Sequence, residues 1–126
     1  MTENRPPNDS PAYQPGVFLI VNKQMIPLVK KVTTLGRQLG NDIVFHEEYL
    51  SRFHAEILFE NDTYILVDKN STSGTFVNGK KIDRCVLNSG DLLALANIYF
   101  MFVNNNAKIV GKSAGTTQSL QTSFEE

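Results

Sequence analysis

The apolar stretches of this chain are all short, and this feature constrains its fold more than any other. They occupy residues 17–21, 31–35, 43–45, 63–68, 92–95 and 98–103. In AEILFE at 55–60, Ala55, Ile57 and Phe59 recur at every second position, as in a strand with one packed face. No window of ten or more residues combines helical spacing with caps. The pattern therefore predicts an all-β sandwich or barrel.

Two dipeptides between these stretches are typical of tight hairpin turns. Asn61-Asp62 separates the stretches at 55–60 and 63–68, and Asn78-Gly79 follows the apolar pair Phe76-Val77. Both dipeptides carry residues that tolerate the positive φ of a two-residue hairpin loop. We expect a β-hairpin at each of them.

The 126 residues suffice for one compact domain. Segment 1–15 holds four of the five prolines and no hydrophobic periodicity, so we expect it to be disordered. The segment 104–126 is rich in Asn, Ser, Thr, Gly and Gln and has little apolar content, which predicts a flexible tail. The folded domain is therefore predicted over 16–103.

Composition excludes several classes of protein. The chain is 41% hydrophobic and 20% charged, and no apolar run approaches the roughly 20 residues that span a bilayer. The amino terminus lacks the apolar segment of a secretory signal, and the single Cys85 cannot form an intramolecular disulfide or a cysteine zinc cluster. We expect a cytoplasmic protein without membrane insertion, metal or cofactor. A net charge of −1 argues against nucleic-acid binding, although nine of the twelve Lys and Arg residues lie between 23 and 84.

Three polar loops between the predicted strands contain the side chains that could bind a ligand. They are Gly36-Arg37, Ser-Arg-Phe-His at 51–54, and Asn-Ser-Thr-Ser-Gly-Thr at 70–75. Each alone is typical of an ordinary surface turn. Together they offer a guanidinium fork and several hydroxyls, which are the donors that a phosphate dianion binds. Each charge-assisted hydrogen bond contributes roughly 1.5–3 kcal/mol, so a few of them separate a phosphorylated ligand from its bare form by orders of magnitude.

Five sequence blocks, in order, resemble the signature of the forkhead-associated (FHA) domain family. They are GR at 36–37, NDIVF at 41–45, SRFHAEI at 51–57, STSGTFVNG at 71–79 and GD at 90–91. The resemblance covers essentially the whole folded part. It implies a β-sandwich of about eleven strands with ligand-binding loops at one end. It also implies a non-enzymatic module that binds phosphothreonine on partner proteins, which would be substrates of a Ser/Thr kinase.

The resemblance also implies roles for individual residues. Those implied to contact a phosphopeptide are Arg37 and Ser51 on the phosphate, Thr72 through its hydroxyl, Arg52 through charge or backbone, and Ser73. The residues implied to shape the loops and the turn are Gly36, His54, Gly74, Asn78 and Gly79.

Ser73 and Tyr49 bear on peptide specificity. The family commonly carries Asn where this chain has Ser73, and a hydroxyl is shorter and gives fewer donors than an amide. We therefore expect altered peptide affinity with phosphate recognition kept. Tyr49 lies two residues before Ser51, where family members often read the third residue after the phosphothreonine. It is predicted to favour an apolar or polarisable side chain.

Two alternatives to phosphothreonine binding stay open at this point. Ser51 and His54, with His46, Glu47 and Glu48 nearby, raise the question of a hydrolase or a metal site. However, no nucleophile elbow, P-loop or recognised metal-ligand spacing accompanies them. The stronger alternative is a phosphate-independent interaction or oligomerisation module that uses the same sandwich.

Three threonines of the predicted tail are candidates for phosphorylation, namely Thr116, Thr117 and Thr122. A phosphorylated tail would bind the same domain, or that of a neighbouring molecule. Self-association through the tail is therefore a further hypothesis, beside that of a linker without such a role.

Overall fold

The computed structural model describes residues 16–106, which form eleven β-strands and no helix. The strands are β1 Val17–Val21, β2 Gln24–Pro27, β3 Val32–Gly36, β4 Ile43–Val44, β5 Ala55–Glu60, β6 Thr63–Asp68, β7 Thr75–Val77, β8 Lys80–Lys81, β9 Arg84–Val86, β10 Leu92–Leu95 and β11 Ile98–Asn104. They confirm the predicted all-β class and the number of strands. Every apolar stretch singled out in the sequence lies in or beside one of them.

The strands form two sheets that enclose one core. The first sheet has the order β2-β1-β11-β10-β7-β8, and the second has the order β4-β3-β5-β6-β9. All pairings are antiparallel except β3 with β4. Side chains from both sheets form a single buried cluster, in which the Tyr64 and Phe102 rings lie 5.5 Å apart, centre to centre. The fold is therefore a two-layer β-sandwich.

Both predicted hairpins are present. Asn61 and Asp62 have φ of 51° and 62° and connect β5 to β6, and Asn78 and Gly79 have φ of 51° and 85° and connect β7 to β8. Positive φ at both central residues gives a turn whose twist matches that of the flanking strands. The β5–β6 register runs without interruption from Ala55 opposite Asp68 to Glu60 opposite Thr63.

Three strands contain none of the apolar stretches: β8 was implied only through the hairpin at Asn78-Gly79, and β2 and β9 were missed. β2, β8 and β9 are four, two and three residues long, and most of their side chains are exposed. Each lies at the edge of its sheet and pairs on one side only. Because their pairing comes from the neighbouring strand, their sequences lack the apolar periodicity of a packed strand.

The loops that connect the strands lie at the two ends of the sandwich. Loops 37–42, 45–54 and 69–74 lie at one end, beside the β10–β11 turn, where Ala96 N–H donates to the Gly74 carbonyl oxygen at 3.3 Å. At the other end the described chain begins and finishes, and Asn105 N–H donates to the Gly16 carbonyl oxygen at 2.9 Å. We call the first end the loop end.

Some expectations fall outside the described residues. Segment 1–15, the tail beyond residue 106 and the threonines Thr116, Thr117 and Thr122 all lie there. β11 ends at Asn104, the residue at which the tail was predicted to begin. Within residues 16–106 no helix is long and apolar enough to cross a membrane.

Candidate functional site

The three polar loops converge at the loop end because their strands run side by side in the second sheet and at its junction with the first. Backbone hydrogen bonds join two of them directly: Arg37 N–H donates to the Ser51 carbonyl oxygen at 3.1 Å, and Gln38 N–H donates to that of Arg52 at 3.2 Å. Residues 14 or more positions apart in sequence are thus neighbours. We call loops 37–42, 45–54 and 69–74 the site loops.

Arg37 extends from the end of β3, and its side chain is exposed. Its Nε donates to the Leu50 carbonyl oxygen at 3.0 Å, which fixes the orientation of the guanidinium plane. Within residues 16–106 its two terminal nitrogens have no acceptor. A guanidinium held through Nε presents those terminal N–H groups as a fork, which matches two oxygens of a phosphate.

Ser51 and Thr72 are joined by one hydrogen bond across two loops. Thr72 N–H donates to Ser51 Oγ at 3.0 Å. A hydroxyl that accepts in this way keeps its own hydrogen for another acceptor, and no residue of the described range accepts it. The Thr72 side chain is exposed and is likewise without a partner within residues 16–106. Arg37, Ser51 and Thr72 therefore bring a charged fork and two hydroxyl donors to one end of the sandwich.

His54 lies beneath these donors and is fully buried. Its Nδ1 accepts from the Ser51 amide at 3.1 Å, and its Nε2 lies 2.8 Å from the Gly74 carbonyl oxygen. Nδ1 acts as the acceptor, so Nε2 carries the hydrogen and donates it to Gly74. One imidazole thus connects the second site loop to the third, and sets the position of the Ser51 backbone.

Gly36 and Asn41 bring the first two site loops close together. A Cβ on Gly36 would overlap the Arg52 carbonyl oxygen and lie 2.8 Å from Asn41 Nδ2. Asn41 Nδ2 donates to the carbonyl oxygens of Gln38 and Arg52, each at 2.8 Å. Asn41 was part of the NDIVF block of the resemblance but was given no role of its own. The bond to Gln38 holds its own loop, and the bond to Arg52 joins the first site loop to the second.

Replacing Gly36 by alanine tests this close approach. The added methyl group overlaps a backbone oxygen, which cannot move as a flexible side chain can, so we expect a loss of about 1–3 kcal/mol in the free energy of unfolding. Urea denaturation measures it, with Leu39→Ala, a change to a side chain that is 75% exposed in the adjoining loop, as the control. Equal stability of wild type and Gly36→Ala would contradict the role given to Gly36.

Asp68 anchors the third site loop and was also missed. Its carboxylate accepts from the Ser71 hydroxyl, from Thr75 Oγ1 at 2.7 Å and from the Ser71 amide at 3.1 Å. Ser71 Oγ in turn accepts from Gly74 N–H at 3.0 Å, where Gly74 has a φ of +93°. The Asp-x-x-Ser spacing at 68–71 was the available signal, since it is typical of a side-chain-capped turn.

The hydrogen bonds at Asp68 predict a pH dependence. Burial raises the pKa of Asp68, but the hydrogen bonds from the Ser71 hydroxyl, the Thr75 hydroxyl and the Ser71 amide outweigh it, so its pKa lies below the ordinary value. A carboxyl with a lowered folded pKa stabilises the fold above its unfolded pKa, about 3.9, and this contribution is lost as pH falls through the folded pKa.

We therefore expect Asp68→Asn to lower stability at neutral pH, and to lower it by less as the pH falls below about 4. Denaturation midpoints measured between neutral and acidic pH check this. Asp62→Asn, in the exposed β5–β6 turn, is the matched control. A constant difference between wild type and Asp68→Asn at all pH values would count against the assignment.

Tyr49, Arg52 and Ser73 lie around the same loops. Tyr49 is 63% exposed, and the Arg52 side chain is exposed with no partner inside the described range. Ser73 Oγ donates to the Tyr49 carbonyl oxygen at 2.8 Å, which joins the second and third site loops. The Ser73 hydroxyl, which the resemblance implied to contact a phosphopeptide, thus also holds the loop that carries Tyr49. The ligand contacts of all three residues stay predictions.

The Asn78-Gly79 turn lies at the opposite end of β7 from the site loops. Asn78 Nδ2 donates to Asp91 Oδ1 at 2.9 Å, and Asn78 Oδ1 accepts from the Leu92 amide at 2.9 Å. The turn therefore fixes the β7–β8 hairpin against the start of β10. Its effect on the site is indirect, through the position of β7.

In the part of the chain that the structure describes, no metal-binding group is formed by His46, His54 and the neighbouring carboxylates. His54 is buried with both ring nitrogens engaged, whereas His46 is exposed.

Comparison with known proteins agrees with the fold and the site loops described above. The family model of the FHA domain matches residues 33–96, just over half of the 126-residue chain, and includes all three site loops. The chain therefore belongs to the FHA domain family, whose members are interaction modules.

Individual relatives agree with the family match. Glycogen accumulation regulator GarA of Mycobacterium tuberculosis is 31% identical over 109 residues, which are 82% of this chain and 66% of GarA. The structure of Mycobacterium tuberculosis EmbR with a low-affinity phosphopeptide has a TM-score of 0.70 at 30% identity, over 83% of this chain and 26% of EmbR. The MEK1 FHA domain in complex with a phosphothreonine peptide of HOP1 has a TM-score of 0.63 at 26% identity, over 71% of this chain and 97% of that domain. The chain thus spans just under two thirds of GarA and about a quarter of EmbR.

Proposed function

We propose that this protein is a phosphothreonine-dependent protein–protein interaction module and not an enzyme. The observation that carries the proposal is the set of donors at the loop end: the Arg37 fork fixed by Leu50, and the Ser51 hydroxyl fixed by the Thr72 amide. Both are oriented before any ligand binds, so little side-chain entropy is lost on binding. Two FHA relatives with known structures hold phosphopeptides.

The proposed mechanism starts with the phosphate. Arg37 donates two hydrogen bonds to its oxygens, while the Ser51 and Thr72 hydroxyls donate one each and Arg52 adds positive charge. The phosphate carries about −1.5 to −2 charges at neutral pH, and each charge-assisted bond contributes roughly 1.5–3 kcal/mol. An unphosphorylated threonine makes none of these bonds, so phosphorylation acts as the switch.

The peptide residues around the phosphothreonine are recognised by side chains at the rim of the site. Tyr49 is proposed to contact the third residue after the phosphothreonine and to favour an apolar or polarisable side chain there. A preference for threonine over serine, expected from the family, depends on the extra methyl group, which contributes on the order of 1 kcal/mol when buried. Partners of this kind are phosphorylated substrates of a Ser/Thr kinase.

The experiment that tests the proposal is a binding screen against a degenerate phosphothreonine peptide library. Unphosphorylated and phosphoserine libraries are screened in parallel, and Arg37→Ala is the control protein. We expect binding that requires the phosphate, is stronger for threonine than for serine, and is absent in the variant. Absence of binding to every phosphorylated library would instead favour the phosphate-independent interaction module.

Self-association through a phosphorylated tail is a finer form of this proposal. The chain leaves β11 at the end opposite the site loops, and the seven residues of β11 span about 20 Å. Thr116 follows Asn106 by ten residues, which reach at most about 35 Å, so returning along β11 to the site of the same molecule takes more than half of that reach. Binding to a neighbouring molecule is less constrained.

Phosphopeptide mapping after kinase treatment tests this form, with Thr116, Thr117 and Thr122 as the expected sites. A tail without phosphothreonine would contradict it. The cytoplasmic location and the absence of nucleic-acid binding stay predictions of the sequence.

A further inference from the structure

The outer face of the first sheet is apolar almost throughout. Direct cross-strand partners point to the same face of a sheet, and the register places one row of large side chains across four strands. The row consists of Met25, Ile20, Met101 and Leu92, which are 61%, 36%, 38% and 42% exposed. A sheet with one face in water normally alternates apolar-in with polar-out. This face departs from that rule.

The next row towards the loop end continues the apolar face. It consists of Tyr99, Ala94 and Phe76, with Lys81 at the β8 edge as the single charged side chain of these two rows. Ala94 is small, so a groove of about 280 Å³ opens between the rings of Phe76 and Tyr99. The face therefore has a concave half, over β10 and β7. Its other half, over β1 and β2, carries the most exposed aliphatic side chain of the row, Met25.

The second sheet provides the contrast. Its outer face has one apolar row, of Val32, Leu58, Ile65 and Val86, but the neighbouring strand positions carry charges. Glu56 pairs with Lys69 at 3.7 Å and Glu60 with Arg84 at 3.4 Å. Charged side chains are depleted from the cores of interfaces and kept at their rims. By this criterion the first sheet, and not the second, has the composition of an interface.

We infer that the outer face of the first sheet binds the same face of a second copy of this chain. The two halves of the face are complementary: a two-fold axis along the strands, between β10 and β11, places β1 and β2 of each copy over β7 and β8 of the other. Ile20 and Met25 then face the Asn78-Gly79 turn of the other copy, at the rim of its groove. Leu92 faces Met101 of the other copy, and Tyr99 faces Ala94 in the other copy's groove. A two-fold axis across the strands would instead place groove on groove.

The available area indicates a weak dimer. Six strands at about 4.8 Å spacing and roughly five residues at about 3.3 Å give a face of about 24 by 17 Å, or roughly 400 Å². Stable complexes bury about 800 Å² on each partner, so this face with its rim belongs to the low, transient end of the range. We therefore expect dissociation on dilution.

The arrangement has a consequence for ligand binding. Rotation about an axis parallel to the strands leaves both sets of site loops at the same end of the dimer. Two phosphothreonines on one partner, or on clustered partners, would then bind one dimer and gain avidity without any new contact. The dimer itself uses none of the site loops, so it does not rest on the proposed phosphothreonine binding.

Sedimentation equilibrium of the full chain tests the inference, over concentrations from about 5 µM to about 1 mM, which cover the range of transient association. The weight-average mass is expected to rise from 14.1 kDa towards twice that value. Met25→Lys/Leu92→Lys, at the two ends of the apolar row, is expected to keep the mass of the monomer. Val32→Lys/Val86→Lys, at the ends of the row on the second sheet, is the matched control and is expected to dimerise like wild type.

Two results would overturn the inference. The first is a mass of 14.1 kDa for wild type at every concentration. Shifted NMR signals of residues 107–126 in Met25→Lys/Leu92→Lys would then assign the face to the chain's own tail, and unshifted signals would exclude the tail as well. The second is a dimer that persists in Met25→Lys/Leu92→Lys, which would place the contact elsewhere. Thermal unfolding confirms that each variant is folded before its mass is interpreted.

Discussion

Replacing Arg37 by alanine is expected to weaken binding of a selected phosphothreonine peptide by at least about 100-fold. The variant loses two charge-assisted hydrogen bonds, and about 3 kcal/mol corresponds to somewhat more than two decades in Kd. Arg37 is exposed and donates only its Nε to a backbone oxygen within the described residues, so the fold should tolerate the change. Isothermal titration calorimetry with the phosphorylated peptide measures the loss.

Two further variants make this result specific. Arg37→Lys keeps the charge but not the planar fork, so we expect an intermediate affinity. Arg84→Ala removes an arginine from the edge strand β9, where it pairs with Glu60, and should leave the affinity unchanged. If Arg37→Ala and Arg84→Ala bound the peptide equally well, the phosphate would be recognised elsewhere.

Replacing His54 by alanine is expected to lower the free energy of unfolding by about 3–5 kcal/mol. The change leaves the part-buried Ser51 amide and the buried Gly74 carbonyl oxygen without partners, at about 1–3 kcal/mol each, and opens a cavity. Urea denaturation measures the loss in the free energy of unfolding. Because His54 positions Ser51, the variant should also bind phosphopeptide more weakly under conditions where it is still folded.

His46→Ala is the matched control for this change. His46 is exposed, so its removal should alter stability by no more than about 0.5 kcal/mol. A loss below about 1 kcal/mol in His54→Ala would mean that the loops hold their positions without the imidazole, contrary to the account given of the site.

The sequence predicts the centre of the sandwich better than its edges. The β5–β6 hairpin follows from the alternation at 55–60 and from Asn61-Asp62, because both its strands are packed on one side. β8 has only Lys80 and Lys81, and it exists because the Asn78-Gly79 turn brings them against β7. No apolar pattern marks such a strand, since its pairing and not its burial makes it a strand.

The site shows a similar division. Arg37, Ser51 and Thr72 are far apart in sequence, and spacing alone does not predict that they meet; the family resemblance does. Asn41 was given no role of its own, because it bonds to Arg52, which only the folded chain brings near. Asp68 was missed although its bonds to Ser71, three residues away, are local. Residues that hold loops together look like ordinary turn residues until their partners are known.

The proposed function depends most directly on the affinity of this protein for one selected peptide, measured before and after a phosphatase removes the phosphate from its phosphothreonine. The same peptide in the same buffer then differs only by the phosphate. We expect binding of the phosphorylated form and a loss of affinity of at least about 100-fold on dephosphorylation, from the charge-assisted bonds alone. Equal affinity for the two forms would contradict it, because none of the donors of Arg37, Ser51 and Thr72 would then be used for a phosphate.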